Sequence, residues 1–444
     1  MASTRLTKTF SSSGNRNKWT ISMWIKRSKL GATQTLFACH QNNNYKTRLE
    51  IASDDELFFN DEYNGGTNGR IVSNAKLRDT NAWYHIVGIW DKDNSTSGDR
   101  IRFYINGERV TSFSDTGNAP ANASTLNTDS LTHEIGSEND GSKFDGLMSH
   151  IHFCDGYAYE PTEFGETDGT TGEWKIKTSP SVSYGTNGFW ILKDGNSVTD
   201  QSPNTNNWTV SAGTLTNMKD NPSNVFAVFN PLDNYYPEMT LTHTNTRALT
   251  YAGKYTYIPT TLGMTSGKYY CEIKCTAQSG SEDYMTIGIT STSSGATTHE
   301  LGHFANDWGY HGNDGSYNNN DGTTSYGASF TTGDIIGIAV DLDNNKLYFH
   351  KNGTYQNSGV PTSGSTGTGA ISITDPASTP RGAYFFAVNN WSGSTTATFD
   401  ANFGNGYFGT TAVSSAGTNA SNIGIFEYDV PTGYTALSTK GLNE

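Results

Sequence analysis

The sequence predicts an all-β chain built as two tandem antiparallel β-sandwiches, and three observations carry that prediction. Apolar residues fall in short, often alternating runs, 48 glycines with many Ser, Thr and Asn punctuate them, and one hairpin pattern occurs twice. In the first copy Trp83-Tyr84-His85-Ile86-Val87-Gly88-Ile89-Trp90 meets Asp91-Lys92-Asp93-Asn94, and Ile101-Arg102-Phe103-Tyr104-Ile105 runs into Asn106-Gly107. In the second, Ile335 to Val340 meets Asp341-Leu342-Asp343-Asn344-Asn345, and Lys346 to Lys351 runs into Asn352-Gly353. Asn-Gly between apolar runs signals a type I′ hairpin, whose two central residues both need positive φ.

Composition bounds the architecture. At about 150 residues per domain, 444 residues imply two or three domains. With 34% hydrophobic, 16% charged and 12% aromatic residues, the chain suits short strands joined by turn-rich loops, with aromatics filling the core. A formal charge of -14 opposes phosphate-backbone binding, so nucleic acid is not an expected partner. No apolar stretch reaches the roughly 18 to 20 residues that cross a bilayer, and Met1 to Phe10 has no signal-peptide core, so neither membrane insertion nor Sec export is expected. Cys39, Cys154, Cys271 and Cys275 are too few for a disulfide framework. Cys271 and Cys275, on one strand, would stand about 13 Å apart, so all four are expected as buried free thiols.

The first domain is expected over residues 1 to about 165. Thr20 to Lys26 alternates as a half-buried strand, and Leu36-Phe37-Ala38-Cys39, Arg48-Leu49-Glu50-Ile51 and Glu56-Leu57-Phe58-Phe59 follow. The Trp83 to Trp90 run is apolar on both faces, which predicts a central strand covered on each side. Gly146 to Phe153 closes the domain. The pieces "ISMWIKR", "WYHIVGIWD", "IRFYINGE" and "FDGLMSHIHFCDG", in that order, resemble the laminin G-like branch of the concanavalin A-like lectin/glucanase fold, which implies a jelly-roll sandwich.

Residues 166 to 245 shift toward Thr, Gly, Asn and Pro but keep Gly188 to Leu192 and Trp208 to Val210, so they are expected as an ordered bridge rather than a disordered linker. From residue 246 to 405, "SGKYYCEIK", "YMTIGIT", "GDIIGIAVDLDNNKLYFHKNG", "AYFFAVNNW" and "ATFDANFG" resemble a SPRY domain, a recognition sandwich, with residues 406–444 as a C-terminal extension. The wider order, with "DGYAYEPTEFGETDGTTGEW", "DNPSNVFAVFNPL" and the closing "FEYDVPTGYTALSTKGLNE", resembles the laminin G-plus-SPRY virion proteins of tailed, particularly marine, bacteriophages. That resemblance implies a structural protein of the particle, on the tail or the capsid, made in the bacterial cytoplasm. It also implies other virion proteins as partners and a homo-oligomer, with a trimer the common form.

Catalysis is not expected. The paired-carboxylate strand motif of glucanases is missing, and the acidic clusters Asp54-Asp55-Glu56, Asp61-Glu62 and Glu160, Glu163, Glu166 fall in predicted turns, where carboxylates are ordinarily solvated. No Gly-x-Ser-x-Gly elbow stands before a helix, and the histidines, His150 and His152 among them, are expected to decorate surfaces rather than to hold a metal. Asp91 and Asp93, like Asp341 and Asp343, have the one-apart spacing of a calcium loop, but Asx-turn chemistry accounts for it, and structural calcium is the alternative. Binding is the expected function: carbohydrate sites need flat aromatic faces with amides or carboxylates. The candidates are Trp308, Tyr310, Asn313, Asp314, Tyr317, Asn390 and Trp391 in the second domain, with Trp308 and Tyr310 expected to be accessible. Asp61 and Tyr63 are the candidates in the first. A polysaccharide-degrading enzyme on the first domain is the competing function.

Overall fold

The computed structural model describes residues 4–117, 119–193, 195, 197–234, 239–252, 257–280, 284–293, 299–390 and 395–443. Two compact units divide the chain, Met1–Asn217 with Asn221–Ser223, and Met218–Asp220 with Asn224–Glu444. The predicted class holds, and each unit is a sandwich of two antiparallel sheets.

In the first unit one sheet has the strand order Phe113–Thr116, Gly66–Lys76, Glu56–Tyr63, Tyr45–Ile51, Gln34–Asn42, Thr132–Ile135, Arg5–Thr9, Thr209–Ala212. The facing sheet runs Phe189–Ile191, Gly146–Asp155, Lys18–Arg27, Trp83–Asp91, Ile101–Ile105, Glu108–Arg109. Alternation along the strands sends Trp19, Ile21, Met23, Ile86, Trp90, Phe37 and Phe59 into the shared core. The second unit repeats the plan. One sheet runs Thr240–Thr242, Arg247–Leu249, Ala397–Asn402, Lys268–Gln278, Ile335–Asp341, Lys346–Lys351, Thr354–Tyr355. The other runs Tyr257–Pro259, Phe385–Asn390, Met285–Thr290, Asp307–His311, Ser316–Asn319, Gly322–Ser325. Its core holds Ile273, Ile287, Ile338, Phe349, Phe386 and Phe399.

The expected bridge, 166–245, is shared between the units instead of standing apart. Phe189–Ile191 pairs with Gly146–Asp155 and Thr209–Ala212 with Arg5–Thr9, while from Asn224 the chain belongs to the second unit. The expected C-terminal extension also joins the second unit, where Thr435–Ala436 pairs in parallel with Lys268–Gln278.

Both segments act as covers. The Trp83–Asp91 strand buries Ile86 and Trp90 in the main core, and its other face packs Val87 and Ile89 against Phe164, Tyr184 and Trp190. In the second unit Ala339 lies on the outer face with Tyr270 and Tyr348, under Phe426, Val430 and Tyr434. The strand apolar on both faces is therefore covered on both, as the sequence predicts for Trp83 to Trp90.

The repeated hairpins share their turn geometry and the residues that bond across them. Asn106 and Gly107 have φ of 50° and 82°, Asn352 and Gly353 of 49° and 83°, and the Asn side chain reaches back to the neighbouring strand. Asn106 Oδ1 accepts the His85 N–H (2.8 Å), and Asn352 Oδ1 accepts the Ile335 N–H (2.8 Å). At the opposite end Asp91 pairs with Lys18 (3.2 Å) and Asp341 with Lys268 (3.1 Å), while the Asn94 and Asn344 amides donate to those same two aspartates. Glycine serves a second purpose here. A Cβ on Gly107 would stand 2.6 Å from the Trp174 ring, and one on Gly353 2.7 Å from the Tyr428 ring, so each turn seats an aromatic of its cover.

Under each seat lies a buried neutral histidine. Trp174 Nε1–H donates to His85 Nδ1 (2.9 Å), so the remaining ring proton is on Nε2 and points to Ser22 Oγ (2.8 Å). The Gly353 N–H donates to His350 Nδ1 (3.1 Å), which places the His350 proton on Nε2, facing Tyr270 Oη (2.6 Å). Burial lowers both imidazoles to about 3, so neither carries charge at neutral pH.

Candidate functional site

The strand Asp307–His311 corrects the expected binding surface. It pairs with Met285–Thr290, and its alternation turns Trp308 and Tyr310 inward, where they are 3% and 0% exposed. Trp308 packs edge-on to Tyr384 (5.5 Å), and Tyr310 stacks on Phe349 (5.1 Å) and donates its hydroxyl to the Ala328 carbonyl. Gly, Asn and Asp neighbours made this segment look like a loop, yet Gly309 is a strand residue with no room for a side chain: its Cβ would meet the Leu301 carbonyl at 2.4 Å.

Asn313 and Asp314 are exposed in the turn that follows, and Asp314 Oδ1 holds that turn by accepting from the Ser316 N–H (2.9 Å) and hydroxyl (2.7 Å). Tyr317 is half-buried, edge-on to Tyr326 at 5.9 Å. The next strand, Gly322–Ser325, ends its sheet and is exposed along its whole length. Asn390 is buried, and its amide donates to the Thr395 carbonyl (2.7 Å), so it does not face solvent. Trp391 lies outside the described residues.

One motif beside this surface was missed in the sequence. His299-Glu300-Leu301-Gly302-His303 has the His-Glu-x-x-His spacing of zinc hydrolases, a signal visible to a direct search. It forms a turn instead of a helix. The two imidazoles stack with centroids 3.6 Å apart and planes 1° from parallel, and His303 Nδ1 is paired with Asp321 Oδ1 (2.5 Å). Because their lone pairs lie in parallel planes, one cation cannot sit in both, and Glu300 instead takes the Asn318 amide (3.3 Å). Burial raises the Glu300 carboxyl to about 7. Among the described residues no group of three or more His, Cys, Asp or Glu side chains is arranged to hold a metal.

In the first unit, Asp61 is buried, not displayed. It accepts hydrogen bonds from the Thr47 and Ser124 hydroxyls, the Thr125 N–H (3.2 Å) and the Asn68 amide (2.7 Å), tying strands to the 122–125 loop. Burial raises its carboxyl above the usual range. Tyr63 is exposed and meets Tyr45 edge-on at 5.3 Å. The acidic clusters expected as solvated turns are largely engaged: Asp55 bridges Arg27 and Arg78 at 3.0 Å each, Glu56 accepts from Ser114 (2.7 Å), and Glu62 pairs with Lys46 (3.5 Å). Asp55 and Glu56 are themselves buried. Asp93 takes the Asn17 amide (3.1 Å) and the Lys92 ammonium (2.6 Å) instead of closing an Asx turn, whereas Asn94 Oδ1 accepts the Thr96 N–H (2.9 Å). His152, expected on the surface, is instead buried with its Nδ1 on Tyr184 Oη (2.9 Å), next to a strand irregularity between Ser149 and His152. All four cysteines are buried free thiols. No described helix is long and apolar enough to cross a membrane.

Residues 5–163 match the family model described as the concanavalin A-like lectin/glucanases superfamily, and residues 268–371 match that of the SPRY domain. The chain carries a concanavalin A-like domain followed by a SPRY domain. Both covers lie beyond these matches, Phe164 to Trp190 after the first and Phe426 to Tyr434 after the second. Solved structures similar to parts of the chain include the SPRY domain of human HERC1 (16% identity, 39% of this chain and 96% of that one, TM-score 0.31). The heptameric SAP-like pentraxin of Limulus polyphemus matches at 20% identity over 34% of this chain and 69% of that one, TM-score 0.26. The TRIM65 PSpry domain matches at 13% over 39% and 88%, TM-score 0.27. None of the curated proteins compared with the chain matches it.

Proposed function

We propose that this protein is a non-enzymatic structural and adhesion protein of a tailed-bacteriophage virion that recognises a host-surface glycan or protein through its SPRY domain. The carrying observation is the exposed pair Asn313 and Asp314 with the half-buried Tyr317, beside the exposed edge strand Gly322–Ser325. An aromatic face with an amide and a carboxylate suits sugar C–H surfaces and hydroxyl pairs. The phage setting rests on the resemblance of the whole motif order to laminin G-plus-SPRY virion proteins. Many weak contacts on one particle would add through avidity, by roughly 10² to 10⁴ over a single site. A polysaccharide-degrading role on the first domain is disfavoured by acidic side chains held in ion pairs and buried hydrogen bonds.

Full-length protein on a glycan array and on host cells tests the site. Asn313→Ala, at an exposed turn position, is expected to lower binding about tenfold while the melting temperature stays put. Unchanged binding would move the recognition surface elsewhere.

A further inference from the structure

The first cover is pinned to its sheet through two buried histidines. Phe164 and Tyr184 pack with Val87, Ile89, Tyr104 and Cys154 on the outer face of the sheet that contains Trp83–Asp91. Between them a small hairpin, Gly165–Thr167 with Trp174–Ile176, carries the Trp174 indole to His85, with the two ring planes 18° apart and Nε1 at 2.9 Å from Nδ1. His152 lies under the same cover, its Nδ1 on Tyr184 Oη (2.9 Å) and its ring 5.1 Å from Phe164.

The Trp174 bond survives only while His85 is neutral. An indole N–H donates and cannot accept, whereas an imidazolium carries a proton on both nitrogens, so protonating His85 sets two donors 2.9 Å apart. The charged groups nearby give the imidazolium no partner. Lys26, Arg102, Tyr104, His150 and Cys154 belong to the strands beneath, and His150 and His85 both oppose charge on His152. On the cover side, Glu160 is paired with Arg102 (3.2 Å), Glu166 and Asp168 with Lys175 (3.5 and 3.2 Å), and Lys193 lies over the Trp190 ring (4.6 Å).

Burial lowers His85 to about 3 from an ordinary 6.5, and His152 also falls well below 6.5. A lifted cover returns both rings to water, so opening takes up protons. It is favoured by about tenfold per histidine for each pH unit below 6.5, and is indifferent to pH above it. The second cover has no such device: Tyr428 meets His350 edge-on (5.3 Å), and the proton that Glu272 keeps there in acid offsets the one His350 would take.

We propose that the first cover is an acid-released strap: protonation of His85 breaks the Trp174 seat, His152 loses Tyr184, and the segment from Phe164 to Tyr184 lifts to uncover Val87, Ile89, Tyr104 and Cys154. The strands beneath stay folded, because the main core on the other face of Trp83–Asp91 holds no residue of that segment.

Labelling of the full-length protein with dithiodipyridine, a thiol reagent that works in acid, at pH 7, 6 and 5 tests it, with labelled peptides read by mass spectrometry. Cys154 lies under the cover and Cys39 in the main core, and each rate is divided by that of the denatured chain at the same pH. Cys154 labelling is expected to rise about tenfold or more from pH 7 to pH 5 while Cys39 stays protected. His85→Gln, whose side-chain oxygen can still accept the Trp174 N–H, should cut that rise about fivefold. A Cys154 rate that does not change with pH, Cys39 rising in step with Cys154, or a full rise in His85→Gln would each overturn the proposal. The comparison of Cys154 with Cys39 needs only the unaltered protein, so it stands even where the variant does not fold.

Discussion

Glu272 sits where two physical effects oppose each other, and its replacement by glutamine measures which one wins. The side chain is fully buried beneath the C-terminal cover. It accepts the N–H groups of Glu427 and Tyr428 (2.8 Å each), the Tyr270 hydroxyl (2.9 Å) and the Asn402 amide (3.4 Å). Burial raises its carboxyl to about 7 from an ordinary 4.5, against the pull of those donors toward the ionised form. A raised folded-state value means the folded unit holds the proton more tightly. The contribution is complete below about pH 4.5 and is lost as pH rises through about 7, amounting to about 3 kcal/mol. Glutamine does not titrate, and it sets an NH₂ against a donor that the carboxyl oxygen could accept, at a cost of about 1–3 kcal/mol. Glu272→Gln should therefore be less stable than the parent at pH 5 by about that amount and equal or overtake it by pH 8. Urea unfolding at pH 5, 6, 7 and 8 reads the gap, with the second unit's transition assigned by hydrogen exchange. A gap constant across this range, or one that widens with pH, would refute the dominance of burial over the four donors.

Other outcomes follow from the same packing. Gly353→Ala should cost clearly more than Gly433→Ala, because both sites have positive φ but only the first would strike a ring, that of Tyr428; the positive-φ strain common to both is about 1–2 kcal/mol, and the excess in urea unfolding reads the ring seat. Gly107→Ala against Gly31→Ala makes the same comparison for Trp174 in the first unit. Trp308→Ala should destabilise the second unit by about 3–5 kcal/mol, read by thermal unfolding, since it empties a core position instead of stripping a binding face. Cys39, Cys154, Cys271 and Cys275 are all buried and should resist a thiol reagent in the folded protein and react together in denaturant, burial having also raised the Cys39, Cys154 and Cys271 thiols well above the ordinary range.

The hairpins were legible in the sequence because Asn-Gly imposes its own backbone and the flanking runs alternate with period two. That the glycine also seats Trp174 or Tyr428 was not, since the partner lies 67 or 75 residues away along the chain, by the difference in residue numbers. The covers were read as bridge and extension for the same reason: their few aromatics show a packing role only against the strand they cover. Trp308 and Tyr310 were misplaced because glycine and asparagine neighbours outweighed a short alternating pattern, and Asp61 because an acidic residue beside a glycine turn reads as solvated until its four donors are seen.

The central claim is recognition without turnover. Full-length protein incubated to equilibrium with host-surface polysaccharide, followed by recovery of the bound glycan and mass spectrometry of its chain lengths, tests it most directly. Saturable retention of glycan with unaltered length is the predicted result. Shortened chains with new reducing ends, in amounts that grow with time, would contradict it.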